Sequence, residues 1–245
     1  MKKLILSFLL LLLPTISFAY TIENFRSELE VQQNGDIFVT ETIKANFTND
    51  LQKHGIFRNI PYVSQTEKGE NYTPISNFEV IDEQGKPIGL SLSKANNNHV
   101  LRIGDANKYV EENETYIIKY TIKGVVKKFE GENFNQIYWN VTGNQWDTII
   151  KKSSAKIILP ITSKINKLKC FTGKFGSTES NCISNTNKNF SVFSNKSSLS
   201  SGEGFTIIHG FDKRISTSNL KYSAPKSLGN NFNSAKESLF QSIGL

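Results

Sequence analysis

Ser27–Phe47 reads SELEVQQNGDIFVTETIKANF. The pair Asn34-Gly35 supplies the positive φ angles that a tight hairpin turn needs, and the residues on either side suit strands. After the turn, Ile37, Val39, Glu41, Ile43, Ala45 and Phe47 fall on one face, and Phe38, Thr40, Thr42, Lys44, Asn46 and Thr48 on the other. A period of two over this length is a half-buried strand. One residue breaks the pattern, because Glu41 stands where a core side chain belongs.

The same signature recurs along the chain. SNFEVID, PIGLSLS, HVLRIG, ETYIIKYTIKGVV, QIYWNV, SAKIILP, KLKCF, NFSVFS and GFTIIHGF are short alternating runs separated by turn residues. About ten mostly antiparallel strands with no convincing helix among them predict an all-β chain, a β-sandwich or a pair of packed β subdomains. Pro160, closing SAKIILP, marks the most natural internal seam.

The two ends differ from this body. Lys2 and Lys3, the apolar stretch Leu4–Leu13 and the small-x-small triplet Ser17-Phe18-Ala19 predict a secretory signal peptide over residues 1–19, cut between Ala19 and Tyr20. An apolar stretch that short does not span a bilayer core of about 30 Å. Removing 19 of the 245 residues leaves 226 and lowers the formal charge from +7 to +5. That basic balance suits an anionic neighbour, although the lysines and glutamates are scattered and no block of like charge points to nucleic acid. Residues 213–245 are expected to form a polar linker and then a short amphipathic helix in FNSAKESLFQSIGL. There Ser234 and Glu237 match a capping box, and Ala235, Leu239 and Ile243 recur at helical spacing. Such a helix needs something to dock on, and peripheral membrane contact through residues 230–245 is one reading.

Cys170 and Cys182 are the two cysteines, with eleven residues between them. In an oxidising compartment an even pair this close predicts one disulfide; a metal site is the alternative, but no histidine lies within the span to complete it.

Signals for catalysis are weak. His54, His99 and His209 are far apart and match no metalloprotease or serine-elbow motif. GDANKYVEE, with Asp105, Asn107 and Glu111, lacks the full ligand series of a calcium loop. No cofactor is implied. In YWNVTGNQWDT, Tyr138 and Trp139 must face opposite sides of a strand, and Trp146 follows a turn at Gly143. Together with His54 these aromatics are the candidate ligand surface, although packing a sandwich core and capping its end is the commoner role of tryptophans.

HGIFRNIP (His54–Pro61) carries one charge, Arg58, in an otherwise apolar loop. An unpaired buried charge is costly, so Arg58 is expected to reach back to Glu41 as a structural ion pair and pin the loop to the sheet. A ligand site at Arg58 is the alternative.

HGIFRNIP, NGDIFVTETI before it, YWNVTGNQWDTIIKKSSAKIILP, CFTGKFGSTESNC and SSGEGFTII resemble, in this order, the N-terminal extracytoplasmic domain of bacterial predicted membrane proteins classed as domain of unknown function 2207. The resemblance covers residues 20–212. It implies a signal peptide, a β-rich domain outside the cytoplasm and, in typical members, membrane spans after it. Here a linker and short helix stand where those spans are expected, which predicts either a secreted form or a shortened relative. It carries over no catalytic residue. The function expected is a non-enzymatic binding or interaction domain of the bacterial cell envelope, periplasmic or extracellular, whose partner is an envelope component or a membrane protein. A polysaccharide or peptide hydrolase and a peripheral membrane-associated remnant of a longer protein are the alternatives.

Overall fold

The computed structural model describes residues 20–66, 69–128, 133–160, 163–217 and 222–223. The expected signal segment with Ala19 and the helix expected within 230–245 lie outside the described residues. The described chain is all β. In chain order its strands are β1 (Thr21–Val31), β2 (Ile37–Asn46), β3 (Gly55–Pro61), β4 (Val63–Thr66), β5 (Gly69–Tyr72), β6 (Ile75–Ile81), β7 (Leu90–Ala95), β8 (Asn98–Gly104) and β9 (Asn113–Ile122). They continue with β10 (Val126–Lys128), β11 (Asn135–Asn140), β12 (Ser153–Ile158), β13 (Ile165–Gly173), β14 (Cys182–Asn187), β15 (Phe190–Asn195), β16 (Gly204–Phe211) and β17 (Tyr222–Ser223). The count exceeds ten because short polar strands such as Val63–Thr66 show no apolar alternation.

A seven-stranded sheet in the order β14-β15-β12-β1-β2-β9-β6 is the backbone of the molecule. Its pairings are antiparallel except that of β1 with β12. A four-stranded sheet, β10-β11-β16-β13, and a three-stranded one, β3-β8-β7, pack on it, and β17-β5-β4 forms a further small sheet. Ile56, Ile60 and Leu101 from the β3 sheet and Ile137, Ile207 and Phe211 from the β11 sheet join Phe25, Ile43 and Ile118 of the large sheet in one buried core. The residues after Pro160 therefore share a core with those before it.

The hairpin at Ser27–Phe47 closes through Gln32 and Asp36, with the Gly35 N–H bonded to the Gln32 carbonyl and Gly35 at φ +82°. Glycine is required there twice over: besides the dihedral, a Cβ would collide with the Ser216 carbonyl oxygen. The contact shows that the body continues past Phe211, into the expected linker. Ile215 is fully buried, its carbonyl accepts from Asn135 Nδ2 at 2.9 Å, and the Ser216 N–H donates to the Gln33 carbonyl. Composition alone hides this, since Ile215 is one apolar residue in a run of polar ones.

HGIFRNIP is a strand rather than a loop. Gly55–Pro61 pairs antiparallel with β8, and alternation sends Ile56, Arg58 and Ile60 inward and Phe57 outward. The charge at the central inward position is what obscures a strand pattern in the sequence.

Candidate functional site

Arg58 lies where three sheets meet. Its Nε donates to Glu41 Oε2 at 2.8 Å and its Nη2 to Glu41 Oε1 at 2.7 Å, a bidentate pair between β3 and the large sheet. The remaining N–H groups donate to carbonyls: Nη2 to Val141 at 3.0 Å, Nη1 to Thr142 at 2.7 Å and to Asn59 at 2.8 Å. All five guanidinium donors thus have acceptors. Val141 and Thr142 directly follow β11, so the same side chain also holds the four-stranded sheet. Glu41 Oε1 accepts a second bond, from the Tyr120 hydroxyl at 2.6 Å, and the Arg58 guanidinium sits 5.3 Å from the Phe25 ring centroid.

The backbone around the pair is shaped to admit it. Ser27 faces Glu41 across the strands and Ala155 faces Ser27, so small side chains flank the carboxylate. Gly143 has φ +75°, and a Cβ there would stand 3.0 Å from Arg58 Nη1. The Thr142 carbonyl accepts a further bond from Trp146 Nε1 at 2.7 Å, which fixes the indole. Burial opposes the charge on Arg58, but the Glu41 charge and hydrogen bonds outweigh it and hold the guanidinium above its ordinary pKa. Burial and the neighbouring Glu41 push the Tyr120 hydroxyl well above its ordinary value, so it stays a donor. The arrangement is saturated and closed to solvent; chemically it can hold sheets together.

A cleft of about 400 Å³ opens beside it, lined by Tyr20, the strand start Gln52–Phe57, Arg102–Gly104, Ala106 and the turn Gln145–Asp147. Part of its lining is bare backbone. Gly55 and Gly104 pair across the strands at φ +138° and +137°, and a Cβ on either would collide with a carbonyl of the other strand. On the rim, His54 Nδ1 lies 2.7 Å from the Lys108 carbonyl. A carbonyl only accepts, so Nδ1 carries the proton, and Nε2 has no partner among the described residues. The ring stacks on Tyr109 at 4.8 Å between centroids. Tyr109 is 67% exposed and Phe57 58% exposed. At the back, Tyr20 stacks on Phe47, its hydroxyl donates to Asp147 Oδ1 at 3.4 Å, and its carbonyl accepts from Thr148 Oγ1. Burial, and then Asp147, raise the Tyr20 hydroxyl above its ordinary pKa.

The cleft brings together His54, Trp146 and Asp147, with Trp146 as a buried wall. Glu41 is not among them. Tyr138 and Trp139 lie elsewhere, on opposite faces of β11: Trp139 points into the core, and Tyr138 packs with Phe171 and Ile208 on the far side of its sheet. Phe57, Arg102 and Lys53 escape the sequence reading, because their convergence depends on the long-range pairing of β3 with β8. Cys170 and Cys182 form a disulfide with Cα atoms 6.2 Å apart, joining β13 to β14, hence the edge of the four-stranded sheet to the edge of the large one. Asp105 lies in a turn, its Oδ1 accepting the Asn107 N–H at 2.9 Å. Among the described residues no three His, Cys, Asp or Glu side chains are grouped to hold a metal ion, and no helix is long and apolar enough to cross a membrane.

Residues 21–211 match the family described as predicted membrane protein (DUF2207) N-terminal domain, and the chain belongs to that family. The uncharacterized protein YciQ of Escherichia coli K12 is similar to it, 25% identical over 170 residues that make up 67% of this chain and 26% of that protein. The chain thus spans about a quarter of the curated relative it matches. Among solved structures, yeast LTA4 hydrolase in complex with bestatin aligns with 77% of this chain and 28% of its own at 10% identity and a TM-score of 0.48. An M1 zinc metallopeptidase of Deinococcus radiodurans aligns with 78% of this chain and 42% of its own, at 7% identity and a TM-score of 0.42. Neither likeness carries an argument about what this chain does.

Proposed function

We propose that the domain is a non-enzymatic binding module of the bacterial cell envelope, exported by its N-terminal segment and working in the periplasm or outside the cell. Its partner is an envelope component or a membrane protein, and the cleft at His54–Phe57 and Gln145–Asp147 is the contact surface. Membership of a membrane-protein family supports the setting. One observation carries the binding reading. The buried ionisable groups Glu41, Arg58 and Tyr120 satisfy one another, while exposed aromatic side chains, Phe57 and Tyr109, stand at the mouth of a cleft built on paired strands. A rigid, concave surface with few convergent polar groups suits recognition.

Photo-crosslinking in intact cells tests this. A crosslinking amino acid at Phe57 is expected to capture a discrete partner that the same group at Asn185, exposed on β14, does not. Equal capture at both positions, or none at Phe57, overturns the reading.

A further inference from the structure

We infer that the cleft takes an acidic saccharide, a sugar polymer bearing carboxylate or phosphate groups. The inference rests on the binding reading above and adds the ligand's chemical class. Charge is the first argument. Lys53 and Arg102 both line the cleft, and neither side chain has an ion-pair or hydrogen-bond partner among the described residues. The same lining holds one acid, Asp147, an exposed carboxylate that accepts from the Tyr20 hydroxyl. The lining thus carries two cations against one anion, a net positive charge toward an incoming anion, in a concavity where the low-dielectric wall of Trp146 and Ile103 strengthens the attraction.

Shape and surface chemistry select a sugar among anions. Arg102 pairs directly with Phe57 across β3 and β8, so cation and exposed ring share one outward face. The stacked His54 and Tyr109 rings give a second aromatic plate beside it. Aromatic faces pack on the C–H face of a pyranose, and the side-chain amides of Gln52 and Gln145 in the lining each offer both a donor and an acceptor to hydroxyls. The backbone contributes the rest. Gly55 and Gly104 add no side chain to the lining, and the close strand pairing keeps them so, because a Cβ on either would collide with backbone of the other strand. A volume of about 400 Å³ is in the range of small-ligand sites and holds a short piece of polymer, not a flat bilayer.

The test uses the purified protein and three polymers: polygalacturonate as the carboxylated sugar, dextran as the neutral sugar and polyglutamate as the carboxylated non-sugar. Binding is expected for polygalacturonate above both controls. The double variant Lys53→Gln/Arg102→Gln is expected to weaken it by about tenfold or more, as loss of two charge-assisted contacts should. Lys188→Gln, on the exposed turn after β14, should leave it unchanged. Equal binding of polyglutamate, an equal effect of Lys188→Gln, or no binding of polygalacturonate overturns the proposal. The crosslinking experiment separates the two levels: capture at Phe57 with no sugar binding removes the ligand class and leaves the binding module standing, whereas failure of both removes both.

Discussion

Phe57 and Arg58 are consecutive residues on β3 that face opposite ways: the phenyl ring is 58% exposed and the guanidinium 1% exposed. The usual order of a half-buried strand is inverted, with charge inside and ring outside. The inversion is stable because Arg58 meets five acceptors inside, and it has a consequence outside. The side chain that ties β3 to two other sheets also sets the orientation in which Phe57 stands at the cleft. Structure and proposed function meet in one dipeptide.

Gly143 makes room for that tie. Gly143→Ala places a methyl 3.0 Å from Arg58 Nη1 at a residue with φ +75°, and is expected to cost about 1–3 kcal/mol. Gly85→Ala is the matched control, since Gly85 has φ +80° and open space around it; that change should cost about 1 kcal/mol from the dihedral alone. Urea unfolding of both variants checks the difference, and equal losses would remove the role assigned to the contact.

His209 makes stability depend on pH. It is fully buried between β16 and β15, where Nε2 donates to Ser191 Oγ at 2.9 Å and Ser191 donates onward to Thr186 Oγ1 at 3.0 Å. The direction of that chain leaves Nδ1 as the unprotonated nitrogen, and it finds no partner among the described residues. Burial lowers the pKa from 6.5 to about 4. The unfolded chain therefore binds more protons between those values, so the contribution is complete above pH 6.5 and declines as pH falls toward 4. The loss over that window is about 3 kcal/mol. Chemical denaturation at pH 7 and pH 5 should show wild type losing more stability than His209→Leu; parallel losses would count against this account.

The disulfide ties sheet edges and closes a short loop. Replacing Cys170 and Cys182 together by alanine is expected to lower stability by about 3 kcal/mol from loop-closure entropy. Thermal unfolding of oxidised protein, reduced protein and the variant should place the last two together, below the first. A reduced protein as stable as the oxidised one would contradict the assignment.

Much of this is legible in the sequence. The period of two in Ile37–Phe47 decides the strand, and the out-of-place Glu41 is visible because the apolar residues around it define a buried face. An even cysteine count, read with the export expected from the N-terminal segment, points to the disulfide. What stays hidden depends on distant pairing. That Cys170 and Cys182 lie in different sheets follows from β13 joining β16 while β14 joins β15. Arg102 becomes a cleft residue through its register with Phe57, and HGIFRNIP conceals a strand because a charge occupies its middle core position. Trp139 and Tyr138 show the converse: aromatic residues draw attention, yet these two belong to the packing of their sheet.

Arg58 and Glu41 form one structural unit, and a double-mutant cycle measures their coupling directly. Arg58→Met and Glu41→Leu should each cost about 3–5 kcal/mol, because each leaves a buried charge without its partner. The double variant should cost clearly less than the sum, with a coupling of at least about 2 kcal/mol in urea unfolding. Additive losses, or single variants within about 1 kcal/mol of wild type, would show that the pair does not hold the sheets together.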